Sequence, residues 1–135
     1  MSTAKRKHQF ATVDTFTVAT GQTILINRAV LLSGADTDIA PAGADSDLAV
    51  GVALTGGAAG TRVDVYLFGP VVPVVVGTGG ATRGTKAVLV ADGFANAPAH
   101  NSDGTGNQAI YGIFMQSGVA TEVVGMQLQA SNRGS

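Results

Sequence analysis

From Phe10 onward, apolar and polar positions alternate in short runs. Phe16 and Val18 alternate with Thr15 and Thr17. Leu48, Val50, Val52 and Leu54 alternate with Ala49, Gly51 and Ala53, and Val63, Val65 and Leu67 alternate with Arg62, Asp64 and Tyr66. A period of two is that of a half-buried strand. Further apolar runs at residues 23–27, 29–32, 71–76, 86–90, 110–115 and 123–128 predict more strands. Turn signals separate them at residues 55–60, at Gly69-Pro70, at 77–84 and at Asp92-Gly93. Two polar stretches, residues 33–47 and 99–107, predict loops. Pro73 lies inside one apolar run and cannot donate to a ladder, so that run is an edge strand or carries a bulge. Short strands at close spacing predict an all-β fold, a small compact barrel or sandwich with little or no helix.

The pattern repeats. Leu48-Ala-Val-Gly-Val-Ala-Leu54, a Gly/Ala turn and Thr61-Arg-Val-Asp-Val-Tyr-Leu67 are echoed sixty-one residues on. There Ala109-Ile-Tyr-Gly-Ile-Phe-Met115 and a second Gly/Ala turn lead to Glu122-Val-Val-Gly-Met-Gln-Leu128. Upstream, Arg28-Ala-Val-Leu-Leu32 matches Lys86-Ala-Val-Leu-Val90, and Ala40-Pro41-Ala42 matches Ala97-Pro98-Ala99. Two copies are too few for a solenoid and suit one pseudo-symmetric domain. Gly51 and Gly112 occupy the same mid-strand position, which predicts a bend or a close approach there.

Composition sharpens this reading. Ala, Gly, Val and Thr make up about half the chain. Glu122 is the one glutamate and there are three lysines, too few to clothe helices. At 135 residues there is room for one core: a basic arm over residues 1–9 and a single β domain over 10–135, with pseudo-repeat units at about 20–69 and 78–129. Lys5, Arg6 and Lys7 carry three of the eight basic charges. The remaining body holds five basic and nine acidic groups. The formal net charge of −1 argues against a broad basic face for nucleic acid. No apolar run approaches the length needed to span a membrane, and no apolar stretch follows the basic start, so neither a membrane helix nor a secretory signal is expected.

With its repeat, the sequence resembles the capsid cement, or head decoration, proteins of tailed bacteriophages, a family long catalogued as a domain of unknown function. The resemblance lies in Val50-Gly-Val-Ala-Leu54, the turn at 56–60, Val63-Asp-Val65 and Gly69. It is carried too by the second-half echo from Gly84-Thr-Lys-Ala-Val-Leu-Val90 through Tyr111-Gly-Ile113. It covers roughly residues 20–128, and the arm is outside it. It implies a structural virion protein, made in the host cytoplasm, that binds the outer surface of the mature icosahedral head and stabilises it by bridging major capsid protein subunits. It implies a homo-oligomer, with a trimer favoured and a dimer possible, and no catalytic residues. The arm residues Lys5, Arg6, Lys7, His8 and Phe10 are the candidates for contact with the capsid or a neighbouring protomer: basic groups for an acidic surface and an aromatic anchor. The alternative is a carbohydrate- or host-surface-binding module of a phage tail or fibre, which the scarcity of aromatics disfavours.

The motifs that imitate chemistry are weak. Gly79-Gly-Ala-Thr-Arg-Gly84-Thr85-Lys86 has the outline of a phosphate loop, but its last pair is inverted and it leads into a strand. A nucleotide-dependent enzyme is the third reading. Asp36, Asp38, Asp45 and Asp47 share one loop without the spacing of a calcium hand. His8 and His100 lack spaced metal-ligating partners, Cys is absent, and no nucleophile elbow occurs. No enzymatic activity, cofactor, metal, nucleic acid or membrane is expected.

Overall fold

The computed structural model describes residues 13–43, 48–67, 71–97 and 109–133. None of them is helical, and the all-β expectation holds. The strands are β1 (Val13–Val18), β2 (Thr23–Ile24), β3 (Ala29–Leu32), β4 (Asp38–Pro41), β5 (Ala49–Ala53) and β6 (Gly57–Ala58). There follow β7 (Arg62–Tyr66), β8 (Val71–Val75), β9 (Lys86–Val90), β10 (Gly93–Asn96), β11 (Ala109–Phe114) and β12 (Val123–Arg133).

The first seven strands form a closed barrel in the order β1-β4-β3-β5-β7, with β2 and β6 paired beside it. The barrel closes through β1, which runs parallel to β4 (Val18 opposite Ile39) and antiparallel to β7 (Phe16 opposite Val63). The remaining strands repeat this layout in the order β10-β9-β11-β12-β8. Its edges are joined by a single parallel bridge, Val76 to Phe94, in the place of Val18 and Ile39. An Ala81–Gly118 bridge stands where β2 meets β6. Pro73 sits on β8, at the end of that sheet, where the missing amide is tolerated.

Strand register refines the internal alignment. Val30 faces Gly51 and Ala87 faces Gly112, so Ala29 corresponds to Lys86; the sequence match had placed Arg28 there. Val30 also faces Pro41 while Ala87 faces Asn96, so Ala40-Pro41-Ala42 corresponds to Ala95-Asn96-Ala97 and not to Ala97-Pro98-Ala99. Three strands lie where turns or loops are predicted. β4 falls inside the polar stretch 33–47, β6 inside the turn 55–60, and β10 begins at Gly93, which moves the hairpin turn to Ala91-Asp92. The run at 23–27 keeps only two strand residues, paired with the two of β6, and Asn27 beyond them takes a φ of 65°.

Each unit has an apolar core, aliphatic in the first and part aromatic in the second. Val18, Ile24, Val30, Ile39, Val63 and Val65 fill the first. Val72, Val74, Leu89, Phe94, Phe114 and Met126 fill the second, with Phe94 and Tyr111 meeting edge to face at 6.4 Å and 76°. Each such side chain taken from water contributes on the order of 1.5–3 kcal/mol before the entropy of ordering is counted. The second core also takes in Ala29, Ala49 and Val52 of the first unit. Hydrogen bonds cross between the units, among them Val75 N–H to Asn27 O (3.1 Å) and Ala49 N–H to Tyr111 Oη (3.1 Å).

Candidate partner-binding surfaces

The arm residues Lys5, Arg6, Lys7, His8 and Phe10 lie outside the described residues, as do Asp45, Asp47 and His100. Of the acidic loop, Asp36 and Asp38 are described. Among the described residues no three His, Cys, Asp or Glu side chains gather at one place.

The loop that imitates a phosphate site spends its amides internally. Gly80 donates to Gly77 O, Ala81 to Gly118 O, Thr82 to Asn96 Oδ1, Arg83 to Ser117 Oγ, Gly84 to Phe114 O and Thr85 to Thr82 O, all between 2.7 and 3.1 Å. An anion cradle needs such donors free and converging. This segment is instead a tied connection into β9. Beside it, Thr78 donates to Asp92 from both its amide (2.9 Å) and its hydroxyl (2.7 Å). The backbone bond first, then the hydroxyl, holds the Asp92 carboxyl below its ordinary value of 3.8.

The outer faces of the two units differ in chemistry at matched positions. On the first, β1 and β7 present the cross-strand pairs Val13–Tyr66, Thr15–Asp64 and Thr17–Arg62, with Thr15 Oγ1 donating to Asp64 Oδ1 at 2.8 Å. On the second, β8 and β12 present Val71–Gln127, Pro73–Gly125 and Val75–Val123. The charged pair positions of one unit are thus apolar or glycine in the other. Val71 is 55 % and Val123 52 % exposed, and the exposed Met115 extends the patch where its amide bonds Gly125 O (2.9 Å). Exposed aliphatics grouped on a sheet face are of the kind found at protein contacts. Read singly, the alternation in residues 123–128 marked a strand; the repeat alignment, which sets Asp64 against Gly125 and Arg62 against Val123, carries the signal for the surface.

A groove of about 220 Å³ opens between the units. Leu25, Arg28, Pro41 and Ala42 line it from the first and Leu89 and Val90 from the second. Arg28 supplies the one charge among the lining residues. Its lining is spread over both units, and no local motif announces it.

Comparison of the sequence with protein families gave no match, and comparison with curated proteins gave none either. The fold is similar to that of the head fiber gp8.5 N base of bacteriophage phi29, with a TM-score of 0.64 at 18 % identity. The likeness covers 91 % of this chain and 99 % of that one. At that identity it is a likeness of fold, extending over essentially the whole of both molecules.

Proposed function

We propose that this chain is a structural protein of a tailed-bacteriophage virion, carried on the outside of the head as a decoration or cement protein. The observation that carries the reading is the end-to-end likeness of fold to a phage head fiber base. It is supported by two features of the chain itself. The loop that imitates a nucleotide site has its amides engaged, and the β8–β12 face groups the exposed aliphatics Val71 and Val123. Such a protein has no chemistry to perform. It would bind the expanded lattice more tightly than the immature one and thereby favour it. The major capsid protein would be its partner, and the arm from Lys5 to Phe10 would lie across the capsid or a neighbouring protomer.

The tail or fibre glycan-binding alternative is supported less well. Sugar-binding faces stack rings on exposed aromatics, and among the described residues none of the large exposed side chains is aromatic. Phe94, Tyr111 and Phe114 are all buried.

Co-sedimentation with mature and immature heads, scored as copies per capsid subunit, tests the proposal. Saturable binding to mature heads with weak binding to immature ones is the expected result. A folded protein that binds neither overturns it. Deletion of residues 1–9 is expected to reduce occupancy, and unchanged occupancy removes the arm from the interface.

A further inference from the structure

The two surfaces that meet between the units have counterparts, at matched positions of the repeat, that meet nothing within the described residues. In the first unit a single ladder row crosses the sheet as Val13–Tyr66–Val52–Ala29. Val52 and Ala29 in that row are buried in the core of the second unit, and Tyr66 packs against it. The same row of the second unit reads Val71–Gln127–Ile113–Lys86. Val71, Gln127 and Lys86 are exposed there and Ile113 is half-buried. Among the described residues no third unit covers them.

The other side of the interface behaves likewise. At the matching end of the second unit's sheet, Val74, Tyr111 and Leu128 are fully buried in the cluster that Ala29, Ala49 and Val52 complete. Their counterparts on the first barrel, by strand register and repeat, are Phe16, Val50 and Leu67. These three are only half-buried at the margin of the first core. One chain therefore carries both partners of its own internal contact as open surfaces: a sheet face on the second unit and a barrel end on the first.

We infer that a second copy of this chain docks head to tail, seating the Phe16–Val50–Leu67 end of one copy on the Val71–Gln127–Ile113 face of the next. The contact continues an interface the molecule already makes within itself. It is heterologous, so each copy keeps one surface free until a ring closes. Beside the row stand Gly125 and Val123, where the first unit has Asp64 and Arg62; Lys86, at the end of the row, is its one charge and keeps its ammonium at the solvated rim of the contact. The inference supplies surfaces for the homo-oligomer that the resemblance to decoration proteins implies, and it does not need the capsid part of the proposed function.

Light scattering on the full chain across a wide concentration range tests it. The expected mass is a multiple of 13.4 kDa. Gln127→Arg, at an exposed position, is expected to weaken association about tenfold or more with thermal unfolding unchanged. Leu67→Glu should do the same from the other surface. Mixed, these two variants each keep the surface the other lacks, so they should form a one-to-one pair that grows no further. Where Leu67→Glu unfolds the barrel end, Val71→Arg gives a second, exposed probe of the face. A monomeric wild type at every concentration overturns the inference, as does an unchanged mass for Gln127→Arg. So does loss of head binding by Gln127→Arg with self-association intact, which would assign the face to the capsid. Failure of the wild type to bind heads would instead count against the capsid reading and leave the association result standing.

Discussion

A Cβ on Gly51 would run into the carbonyl oxygen of Tyr66, and one on Gly112 into the carbonyl oxygen of Gln127. Both obstacles are backbone of the neighbouring strand, which cannot swing aside as a side chain would. Each site also lies beside a register shift, between Val30 and Leu31 on one ladder and between Ile110 and Gly112 on the other. Gly51→Ala and Gly112→Ala are therefore each expected to lower stability by at least about 1–3 kcal/mol, the usual cost of overpacking. Gly125→Ala is the control. Its nearest neighbours are the Val71 and Gln116 side chains at 3.4 Å, so a change within about 0.5 kcal/mol is expected. Denaturant melts of the three variants measure the contrast. The demand at Gly51 and Gly112 was legible in the sequence because glycine stands in the middle of an alternating strand twice. The atoms that impose it were not, because they belong to a strand fourteen or more residues away in the chain.

At the scale of elements, period-two alternation reports strands only when they are long enough to alternate. β1, β5, β7, β11 and β12 meet that condition. β4 holds two buried residues, Ile39 and Ala40, between Asp38 and Pro41, and its polar flanks read as loop. It exists because β3 and β1 supply hydrogen-bond partners on both sides, a tertiary cause that no local window contains. The duplicated turns show the same limit. Gly60 and Thr121 close equivalent turns with φ of 85° and 80°, and Gly60 N–H to Val18 O (2.8 Å) matches Thr121 N–H to Val76 O (2.8 Å). Glycine holds this conformation freely, whereas threonine is β-branched and strained in it by roughly 1–2 kcal/mol. Thr121→Gly relieves that strain and adds about 0.4–1 kcal/mol of unfolded-state entropy to overcome. A net gain of about 0.5–1 kcal/mol is expected, seen as a higher Tm. A lower Tm would mean that the turn is held by the Thr121 side chain and not in spite of it.

At the scale of the whole molecule, the two units differ from two beads on a string because they share a core. Ala29, Ala49 and Val52 leave the first barrel's interior to pack with Tyr111, Phe114 and Leu128 of the second. Tyr111 is 1 % exposed, and its hydroxyl accepts the Ala49 amide across the boundary at 3.1 Å. The repeat in the sequence announced two units but not this seam. Tyr111 aligns with Val50, so the residue that ties the units together is one of those in which the two copies have diverged. Removing the hydroxyl leaves the ring and its packing on Phe94 in place and strips the buried Ala49 amide of its acceptor. An unsatisfied buried donor costs about 1–3 kcal/mol. Tyr111→Phe is accordingly expected to lower the urea midpoint by that much while unfolding remains a single transition with an unchanged slope, because the shared aliphatic core still couples the units. Splitting into two transitions would show that the Tyr111 hydroxyl carried the coupling. An unchanged midpoint would show that the Ala49 amide finds another acceptor, and that the apolar contacts and the Val75–Asn27 hydrogen bond hold the seam without the Tyr111 hydroxyl.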